Sequence, residues 1–363
     1  MTFEGSSFVG LDLHKRYITA CALDLSGTVL GELRRMPASL DALGDFLSAL
    51  PQPVMIAMEA TLYWAWLTDQ LERAGHTVRV AHAYQVKLIW QARSKTDPID
   101  ARKLAELLRT NLLPTVWLPD VATRERRQLL RSRAFFVRER TKVKNRIHGH
   151  LTVENQLCPK ADLYGKAGRA WLATVALSPM LRQQVERLLR LHDYLTQEIT
   201  RLDGQVKRAA RRDPIAKQLE TIPGVGTFGA LFLHAEIGPI TRFRSSHELA
   251  AYAGLVPTTR SSGGKTTHGA VGTCSNRWLK WILCEVVTTL KRAPGPVGTH
   301  YRHLLRAKGK PKATTAAARK LCCYLYWMLK EGWTYEEWLA QHEAAAGTRR
   351  SEVRPSQRMG AVA

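Results

Sequence analysis

The stretch FVGLDLHKRYITACALD, residues 8–24, decides the fold class through its alternation. Two sets of side chains alternate in its first half: Val9, Leu11 and Leu13 on one face, and Phe8, Gly10 and Asp12 on the other. A period of two predicts a β-strand, with Asp12 at or near its end. YITACALD, which completes the stretch, predicts a second strand.

The segments that follow continue the sheet and then add helices. SGTVLGEL predicts a turn and a third strand, residues 40–49 predict a helix, and PVMIAMEA predicts a buried strand that ends at Glu59. YWAWLTDQLERAG predicts a helix closed by Gly75, and HTVRVAHA predicts another strand. Strands that first form a meander and then alternate with helices indicate an α/β sheet.

Four acidic residues of this region are placed where they can converge. Asp12 and Glu59 end predicted strands beside small residues, and strand-end carboxylates of one sheet can meet at one edge. In SKTDPIDARKLAELL, Asp97 and Asp100 stand at the start of a predicted helix. Asp97 is either the N-cap, with the following proline at the first helical position, or a metal ligand, and the local sequence fits both. Grouped carboxylates suit Mg²⁺ or Mn²⁺, the ions of phosphoryl transfer.

Charge divides the chain into two parts. The whole sequence has 54 Lys+Arg and 31 Asp+Glu, a formal net charge of +23. Residues 1–115 contain 12 basic and 12 acidic residues, so the remainder carries the entire excess. A neutral N-terminal part followed by a strongly basic C-terminal part predicts a catalytic module joined to a module that binds a polyanion. Nucleic acid is the leading candidate for that polyanion.

The six cysteines show no metal-ligand spacing, and several lie in apolar runs such as KLCCYLYWML. They are Cys21, Cys158, Cys274, Cys284, Cys322 and Cys323. This usage predicts reduced core residues of a cytoplasmic protein. The sequence opens without the pattern of a signal peptide, and no apolar run reaches the length of a membrane span.

Two long helices are predicted in the middle of the chain. RERRQLLRSRAFFVRERTKVKNRIHGHL is basic and has no helix breaker before Gly149, and a second helix runs from about Met180 to Arg212. The second helix has a seam with alternating spacings of three and four: Val185, Leu188, His192, Leu195, Ile199, Leu202 and Val206. The seam predicts a coiled coil that pairs with the first helix or with another protomer, and the alternative is an ordinary core-facing helix.

Residues 219–238, LETIPGVGTFGALFLHAEIG, have the pattern of a helix-hairpin-helix. Gly224 and Gly226 permit a tight turn, and the free amides at the start of the following helix can face a DNA phosphate. Such contacts position DNA without choosing a sequence. The alternative is a helical hairpin that only packs.

Two further segments carry candidate chemistry. Residues 251–269, AYAGLVPTTRSSGGKTTHG, predict a loop in which a serine could attack phosphorus while Arg260, Lys265 and His268 steady the developing charge, although most such loops are only loops. Residues 300–321, together with the first long helix, predict a strip for a nucleic-acid backbone, with a solvated face as the alternative. The basic residues proposed as its nucleic-acid contacts are Arg131, Arg138, Lys142, Lys144, Arg146, Lys308, Lys310, Lys312, Arg319 and Lys320.

The motifs occur in one order: GLDLHK, MEATLYW, SKTDPIDARKLAELLR, NRIHGHL, DLYGKAGRAWL, IPGVG, AAYAGLVPTTRSSGGK and AAARKL. In this order, over roughly residues 6–335, the chain resembles the DEDD transposases of bacterial insertion sequences, the family often called one-ten. DLYGKAGRAWL is similar to an insertion that one branch of that family carries between its helices.

The resemblance implies an α/β RNase H-like, RuvC-like domain at 1–118, in which four acids bind Mg²⁺: Asp12, Glu59, Asp97 and Asp100. It implies a basic helical, coiled-coil linker at 119–213 with an insertion near 152–179. A mostly α C-terminal transposase domain, which includes the helix-hairpin-helix pattern described above, then spans 214–340. Residues 341–363 lack periodic apolar residues and are expected to form a disordered tail.

The resemblance also implies a catalytic serine. Alignment on AGLVP places it at Ser262, directly after Ser261. Members of the family act as tetramers assembled from dimers, and a structured bridge RNA from the element's own non-coding end pairs with target and donor DNA. The chain is therefore expected to be a nucleoid-associated, RNA-guided DNA recombinase that excises and inserts its element through a serine–DNA phosphodiester.

Two rival functions make different demands on these residues. A RuvC-like nuclease or Holliday-junction resolvase, with water as nucleophile, needs the four acids but not Ser262. A non-enzymatic RNA- or DNA-binding scaffold would tolerate the loss of Asp12. A tyrosine recombinase is disfavoured, because the sequence has no clustered Arg/His/Tyr set.

Overall fold

The chain folds as two units, Met1–Pro119 and Asp120–Ala363. The structure is a computed structural model, and it describes residues 6–61, 63–90, 96–262, 265–271 and 275–341. For residues 259–262, 265, 266, 268, 270 and 271 it describes the backbone alone. Cys274 and residues 342–363 of the predicted tail lie outside the described residues.

The first unit is built on a mixed five-stranded sheet with the strand order β3-β2-β1-β4-β5. Strands β1, β2 and β3 are antiparallel neighbours, whereas β4 and β5 continue from β1 in parallel. Its elements are β1 Ser7–Leu13, β2 Tyr17–Leu23, β3 Val29–Pro37, α1 Leu40–Ser48, β4 Val54–Glu59, α2 Trp64–Arg73, β5 Thr77–Ala81, α3 Ala83–Ile89 and α4 Asp97–Arg109. The predicted meander followed by alternating strands and helices is confirmed.

Helices cover both faces of this sheet, because the alternation along β1 gives it two apolar faces. Val9, Leu11 and Leu13 belong to a core that α1 and α2 complete with residues such as Leu43 and Leu67. The opposite face packs on α4, through a second core that contains Phe8, Met55, Leu104 and Leu108. The unit is therefore a three-layer α/β/α arrangement.

The second unit is mostly helical. Its elements are α5 Val121–Val153, α6 Lys166–Thr174, α7 Pro179–Arg211, α8 Pro214–Glu220, α9 Thr227–Ile237, a 3₁₀ turn Ile240–Arg242, α10 Ser246–Tyr252, β6 Pro257–Ser262, β7 Lys265–Val271, α11 Arg277–Leu290 and α12 Pro296–Glu331. One large core joins α5 and α7 to the helices that follow them, with Phe232, Leu283 and Leu325 among its fully buried residues. Helix α12 is interrupted at Gly309, whose φ of 72° is not helical.

The predicted seam of α7 is used within the chain. Val185, His192, Leu195, Ile199 and Val206 are buried, and α7 packs along α5. The sequence left two possible partners for the seam, the first long helix or another protomer. In the structure of the single chain, the seam packs against the first long helix, α5. This pairing buries most of the seam within the chain.

The serine-bearing segment differs from its predicted form. It is a two-stranded antiparallel hairpin, β6–β7, in which Ser262 pairs with Lys265, rather than a loop. Thr258, Thr259, Thr266 and Thr267 contribute to its strands, since β-branched residues favour extended structure. Within the described parts of the chain, no helix combines the length and apolar character needed to cross a membrane.

Candidate metal centre and nucleic-acid interface

Two of the predicted acids lie on adjacent strands at one edge of the first sheet. Asp12 is the penultimate residue of β1, and Glu59 is the last residue of β4. The parallel register pairs Leu11 with Met58, so the next positions along the two strands are Asp12 and Glu59. Parallel strands that end together place these acids at their common carboxyl edge, as the sequence predicts.

Helix α4 brings the other two acids to the same face. Its backbone approaches β1 at Gly10, where a Cβ atom would overlap the carbonyl oxygen of Ala101 and lie 2.5 Å from the nitrogen of Ala105. Only glycine permits this approach. The first turn of α4 contains Asp97 and Asp100, and this turn therefore lies close to the end of β1.

The alternative role of Asp97 as an N-cap is not the one that the structure shows. The N-cap is Thr96, and no side chain makes a capping hydrogen bond there. Asp97 is the first helical residue, and its carboxylate contacts side chains of the sheet instead. Asp100 also lies in the first turn, where negative charge is favoured by the helix dipole.

A compact set of ligand atoms results. Among the described residues, Asp12, His14 and Asp97 offer atoms that all lie within 4.8 Å of one another. His14 Nε2 lies 3.1 Å from Asp12 Oδ2 and 3.5 Å from Asp97 Oδ1. Asp100 is near enough to Asp12 to raise its pKa by repulsion, and Glu59 is next in register.

Three residues around Asp97 were not predicted from the sequence. The Tyr17 hydroxyl donates a hydrogen bond of 3.1 Å to Asp97 Oδ2, and its ring stacks on His14 at 4.5 Å. Arg35 Nε lies 3.9 Å from the same carboxylate oxygen. For His14, the sequence contained a usable signal, which is its two-residue spacing from Asp12. This spacing places both side chains on one side of an extended chain.

The edge has the chemistry of a cation site. Burial raises the pKa of Asp12, His14 opposes that rise, and the charges of Asp97 and Asp100 add to it. Thr19 lies opposite Asp12 in the β1–β2 ladder and is 1% exposed, and its hydroxyl has no hydrogen-bond partner within the described residues. A hydrated divalent cation would supply the missing positive charge and a partner for that hydroxyl.

The predicted nucleophile belongs to the second unit. Ser262 is the last residue of β6, directly after Ser261, and Lys265 opens β7 opposite it. Arg260 lies two residues earlier on β6, and its backbone partner is Thr267. The two serines are thus the last two residues of β6, and they pair with the first two residues of β7.

The two glycines of the predicted helix-hairpin-helix have different surroundings. Gly224 has a φ of +83°, and a Cβ atom there would lie 2.6 Å from the Thr289 side chain on α11. Gly226 is the N-cap of α9, and its Cβ direction is open. Gly224 therefore shapes the turn, whereas Gly226 leaves the start of α9 accessible.

The predicted basic residues fall into three groups. Those with exposed side chains are Arg138, Lys142, Arg146, Lys308, Lys310 and Lys312. Those that are half-buried are Lys144, whose ammonium lies 4.4 Å from the Tyr164 ring, Arg319 and Lys320. For Arg260 and Lys265 the structure describes the backbone.

Arg131 is paired with a buried acid. Its Nε and Nη2 each donate a hydrogen bond of 2.8 Å to the carboxylate of Glu236, which is 1% exposed. A bidentate pair with a buried carboxylate engages the donors that a phosphate would need. The Arg131 side chain is 36% exposed, so its membership of a nucleic-acid surface stays a prediction.

Comparisons with known proteins give matches over both units. Residues 9–155 match the DEDD-type domain described as a transposase, of the IS110 kind. Residues 216–302 match the domain described as the transposase of the IS116/IS110/IS902 family. The first match contains all four predicted acids, and the second contains the helical hairpin and the β6–β7 hairpin.

Several full-length proteins are similar to the chain. The transposase for insertion sequence element IS1328 of Yersinia enterocolitica is 28% identical, covering 77% of this chain and 82% of that protein. A probable family 20 transposase of Pseudomonas aeruginosa is 29% identical, covering 76% and 82%. An uncharacterized 43.6 kDa protein of insertion element IS110 from Streptomyces coelicolor is 28% identical, covering 85% and 84%.

Proposed function

Because the chain belongs to the IS110/IS116/IS902 family of transposases, we propose that it is an RNA-guided, site-specific DNA recombinase. It excises and inserts its own insertion sequence through a serine–DNA phosphodiester, assisted by a four-carboxylate Mg²⁺ site. The convergence of Asp12, Asp97 and His14 at the carboxyl edge of the sheet is the observation that carries this proposal. The functional domains we propose are 1–118, 119–213 and 214–340.

The fold of the first unit supports the RNase H-like, RuvC-like part of the proposal. Three antiparallel strands continued by two parallel ones, with acids at the ends of β1 and β4, agree with the arrangement that this assignment requires. Asp12, Glu59, Asp97 and Asp100 would hold the ion. When bound, Mg²⁺ supplies Lewis-acid polarisation of a phosphate, and Mn²⁺ can replace it.

The protein side chains around the ion have positioning roles. The hydrogen bond from Tyr17 orients the Asp97 carboxylate, and the stacked His14 ring limits the movement of both. Outer groups of this kind orient ligands and tune their basicity. Arg35 adds a positive charge on the outer side of Asp97.

Ser262 is the proposed nucleophile. Its Oγ forms a bond to phosphorus while the bond from phosphorus to the 3′ oxygen breaks. The serine hydroxyl proton passes to a base, and the departing 3′ oxygen takes up a proton from that base or from water to become a hydroxyl. The products are a phosphoserine link and a free 3′ hydroxyl, so the bond energy is retained for rejoining. Arg260 and Lys265 steady the charge on the phosphate.

Nucleic-acid binding is assigned to the second unit. Amides at the start of α9, beside Gly226, would contact a DNA phosphate. The exposed basic residues of α5 and α12 would contact the backbones of DNA and of a structured bridge RNA. Base pairing by that RNA then selects the target and donor sequences. Protomers would assemble as dimers and tetramers.

A denaturing gel for a covalent protein–DNA adduct tests the proposal. Wild-type protein, labelled target and donor DNA, a transcript of the element's non-coding end and Mg²⁺ should give an adduct. Ser262→Ala and Asp97→Asn should abolish it, because they remove the nucleophile and a ligand. The matched controls are Ser261→Ala, the neighbouring hydroxyl, and Asp41→Asn, an exposed acid in the first turn of α1, and both should retain the adduct.

Three outcomes would contradict the proposal or a part of it. DNA cut without an adduct by every protein, Ser262→Ala included, would leave hydrolysis by water at the carboxylate site. An adduct that persists in Ser262→Ala and disappears in Ser261→Ala would move the nucleophile to Ser261. Activity that survives Asp97→Asn would remove that residue from the site.

A further inference from the structure

The chain leaves the helical core before the β6–β7 hairpin and re-enters it afterwards at one pair of contacting residues. Helix α10 ends at Tyr252, five positions before β6 begins, and the chain returns after β7 at Asn276. The Asn276 backbone N–H donates a hydrogen bond of 2.8 Å to the Tyr252 carbonyl. The Asn276 side chain also donates to the Tyr252 hydroxyl, at 3.1 Å. Both ends of the hairpin are thus held together by one pair of residues.

This pair is tied to a buried charge. Asn276 Nδ2 donates a second hydrogen bond, of 2.8 Å, to Glu236 Oε2 on α9. Glu236 is 1% exposed, and it also accepts the bidentate pair from Arg131 on α5. Arg127 Nε lies 3.6 Å from the same carboxylate. The ends of the hairpin are therefore connected to two helices of the core through one carboxylate.

Asn276 serves both the hairpin and the helix that follows. Its Oδ1 accepts hydrogen bonds from the backbone of Trp278 and Leu279, which makes it the N-cap of α11. Arg242 lies over the Tyr252 ring, 4.3 Å from the centroid, and holds the other end in place. The side chain of Asn276 uses its oxygen for the helix and its nitrogen for Glu236 and Tyr252.

Buried ion pairs are weak contributors to net stability, but they specify geometry through fixed donors and acceptors. A shift in a reacting group of about 1 Å can slow a reaction about 100-fold. We propose that Glu236, Asn276 and Tyr252 are positioning residues, which fix both ends of the β6–β7 hairpin so that its serine is presented in one geometry. This inference rests on the proposed function, in which Ser262 is the nucleophile.

The Asn276→Asp substitution isolates the positioning role. Aspartate keeps an oxygen to cap α11, but it removes the amide donor and places a second carboxylate against Glu236. The double variant Glu236→Gln/Asn276→Asp reverses the pair, so that an amide again donates to a carboxylate and the total charge is that of the wild type. Rescue by this exchange would show that the hydrogen bond between positions 236 and 276, rather than either residue alone, is what the hairpin requires.

Gln218→Glu is the matched control. Gln218 Nε2 donates to the Met328 and Trp333 carbonyls, so the same change from amide to carboxylate removes an equivalent donor in the same unit. This variant should lower the stability of the unit without altering the hairpin. Its contacts with α12 lie outside the Glu236 network.

Two measurements on the full-length protein test the inference. Hydrogen–deuterium exchange without nucleic acid should be faster in residues 257–271 of Asn276→Asp than in the same residues of wild type. In the double variant, exchange of these residues should slow towards the wild-type rate. In Gln218→Glu, exchange of these residues should equal that of wild type. Single-turnover adduct formation, with the DNA and RNA of the gel assay, should be at least about tenfold slower in Asn276→Asp at unchanged DNA affinity, and restored in the double variant.

The two measurements separate this inference from the proposed function. Faster hairpin exchange in Asn276→Asp with no adduct even in wild type would contradict the serine mechanism and leave the anchoring of the hairpin intact. Unchanged exchange in residues 257–271, or equal exchange in Asn276→Asp and Gln218→Glu, would overturn the inference. The inference would also be overturned if Glu236→Gln/Asn276→Asp formed the adduct no faster than Asn276→Asp.

Discussion

At the scale of the residue, Gly10 determines whether the carboxylates can meet. The backbone of α4 lies against its Cα, and the distances to Ala101 and Ala105 leave no room for a methyl group. Since the first turn of α4 contains Asp97 and Asp100, a displacement of the helix also displaces two proposed ligands. The close packing of Gly10 against α4 therefore helps to position the proposed ligands Asp97 and Asp100.

Gly10→Ala should both destabilise the first unit and weaken its binding of divalent ions. Overpacking of a filled core costs about 1–3 kcal/mol, and here the obstacle is backbone. Denaturant unfolding measures the free energy of unfolding, and titration with Mn²⁺ followed by electron paramagnetic resonance measures binding. Gly44→Ala on α1 is the control, because its Cβ would meet nothing within 4 Å. Equal Mn²⁺ affinity in Gly10→Ala and wild type would refute the link between packing and site.

At the scale of the element, α8 depends on the acid that precedes it. Asp213 is 5% exposed; its Oδ1 accepts from the Ala216 backbone, and its Oδ2 lies 2.7 Å from His234 Nδ1 and 3.2 Å from Arg126 Nη1. Burial acts to raise the pKa of Asp213, but the His234 and Ala216 hydrogen bonds and the charge of Arg126 outweigh it, so the pKa is lowered. The charged form is thus stabilised by folding.

The sign of the resulting pH dependence follows from linkage. A carboxyl whose pKa is lower in the folded state contributes stability above its ordinary pKa of about 4, and that contribution is lost as the pH falls through the folded value. Asp213→Asn should cost about 3 kcal/mol near pH 7, because it leaves Arg126 and His234 without a carboxylate. The difference from wild type should narrow in acid, as measured by urea unfolding at a series of pH values.

Asp120→Asn provides the comparison for Asp213→Asn. Asp120 is also an N-cap, but it is exposed at the start of α5. Its substitution should therefore cost much less, since water replaces the interactions that are removed. A difference between wild type and Asp213→Asn that stays constant from neutral to acid pH would show that the charge of Asp213 is not what stabilises α8.

At the scale of the whole molecule, the charge excess belongs to the second unit. The first unit is neutral, and residues 120–363 hold 42 basic against 19 acidic side chains. Binding of nucleic acid should therefore weaken steeply with salt, because each phosphate contact releases counterions. Neutralising Lys308, Lys310 and Lys312 to Gln should lower the slope of log affinity against log salt by about 1 for each phosphate that a lysine no longer neutralises.

The control for this triple variant removes the same charge from the first unit. Arg34, Arg73 and Arg79 are exposed there, and their replacement by Gln changes the net charge equally. Fluorescence anisotropy with a labelled duplex, at a series of salt concentrations, measures both slopes. Equal slopes for the two variants would mean that overall charge, rather than a binding surface on α12, governs the affinity.

Much of the fold follows from local patterns in the sequence. The five strands of the first unit and its helices α1, α2 and α4 are predicted because their apolar residues repeat with periods of two and 3.6, which report only on neighbouring positions. The short helix α3 was not predicted. The same periodicity predicts that Asp12 and Glu59 end strands. The prediction of a loop for the serine segment was wrong, because its glycines and hydroxyls also fit the turn and strands of a hairpin.

By itself, the sequence determined the elements, the uneven charge, the acids at strand and helix ends, and the family resemblance, since each depends on residues near one another or on their order. Tertiary structure decided which residues distant in the sequence contact one another. Tyr17 reaches Asp97 across 80 positions, and Arg131 reaches Glu236 across 105. It also paired the α7 seam with α5, bound Arg131 to a buried carboxylate and placed His14 among the acids. Such contacts depend on how distant segments pack, and local periodicity carries no information about that packing.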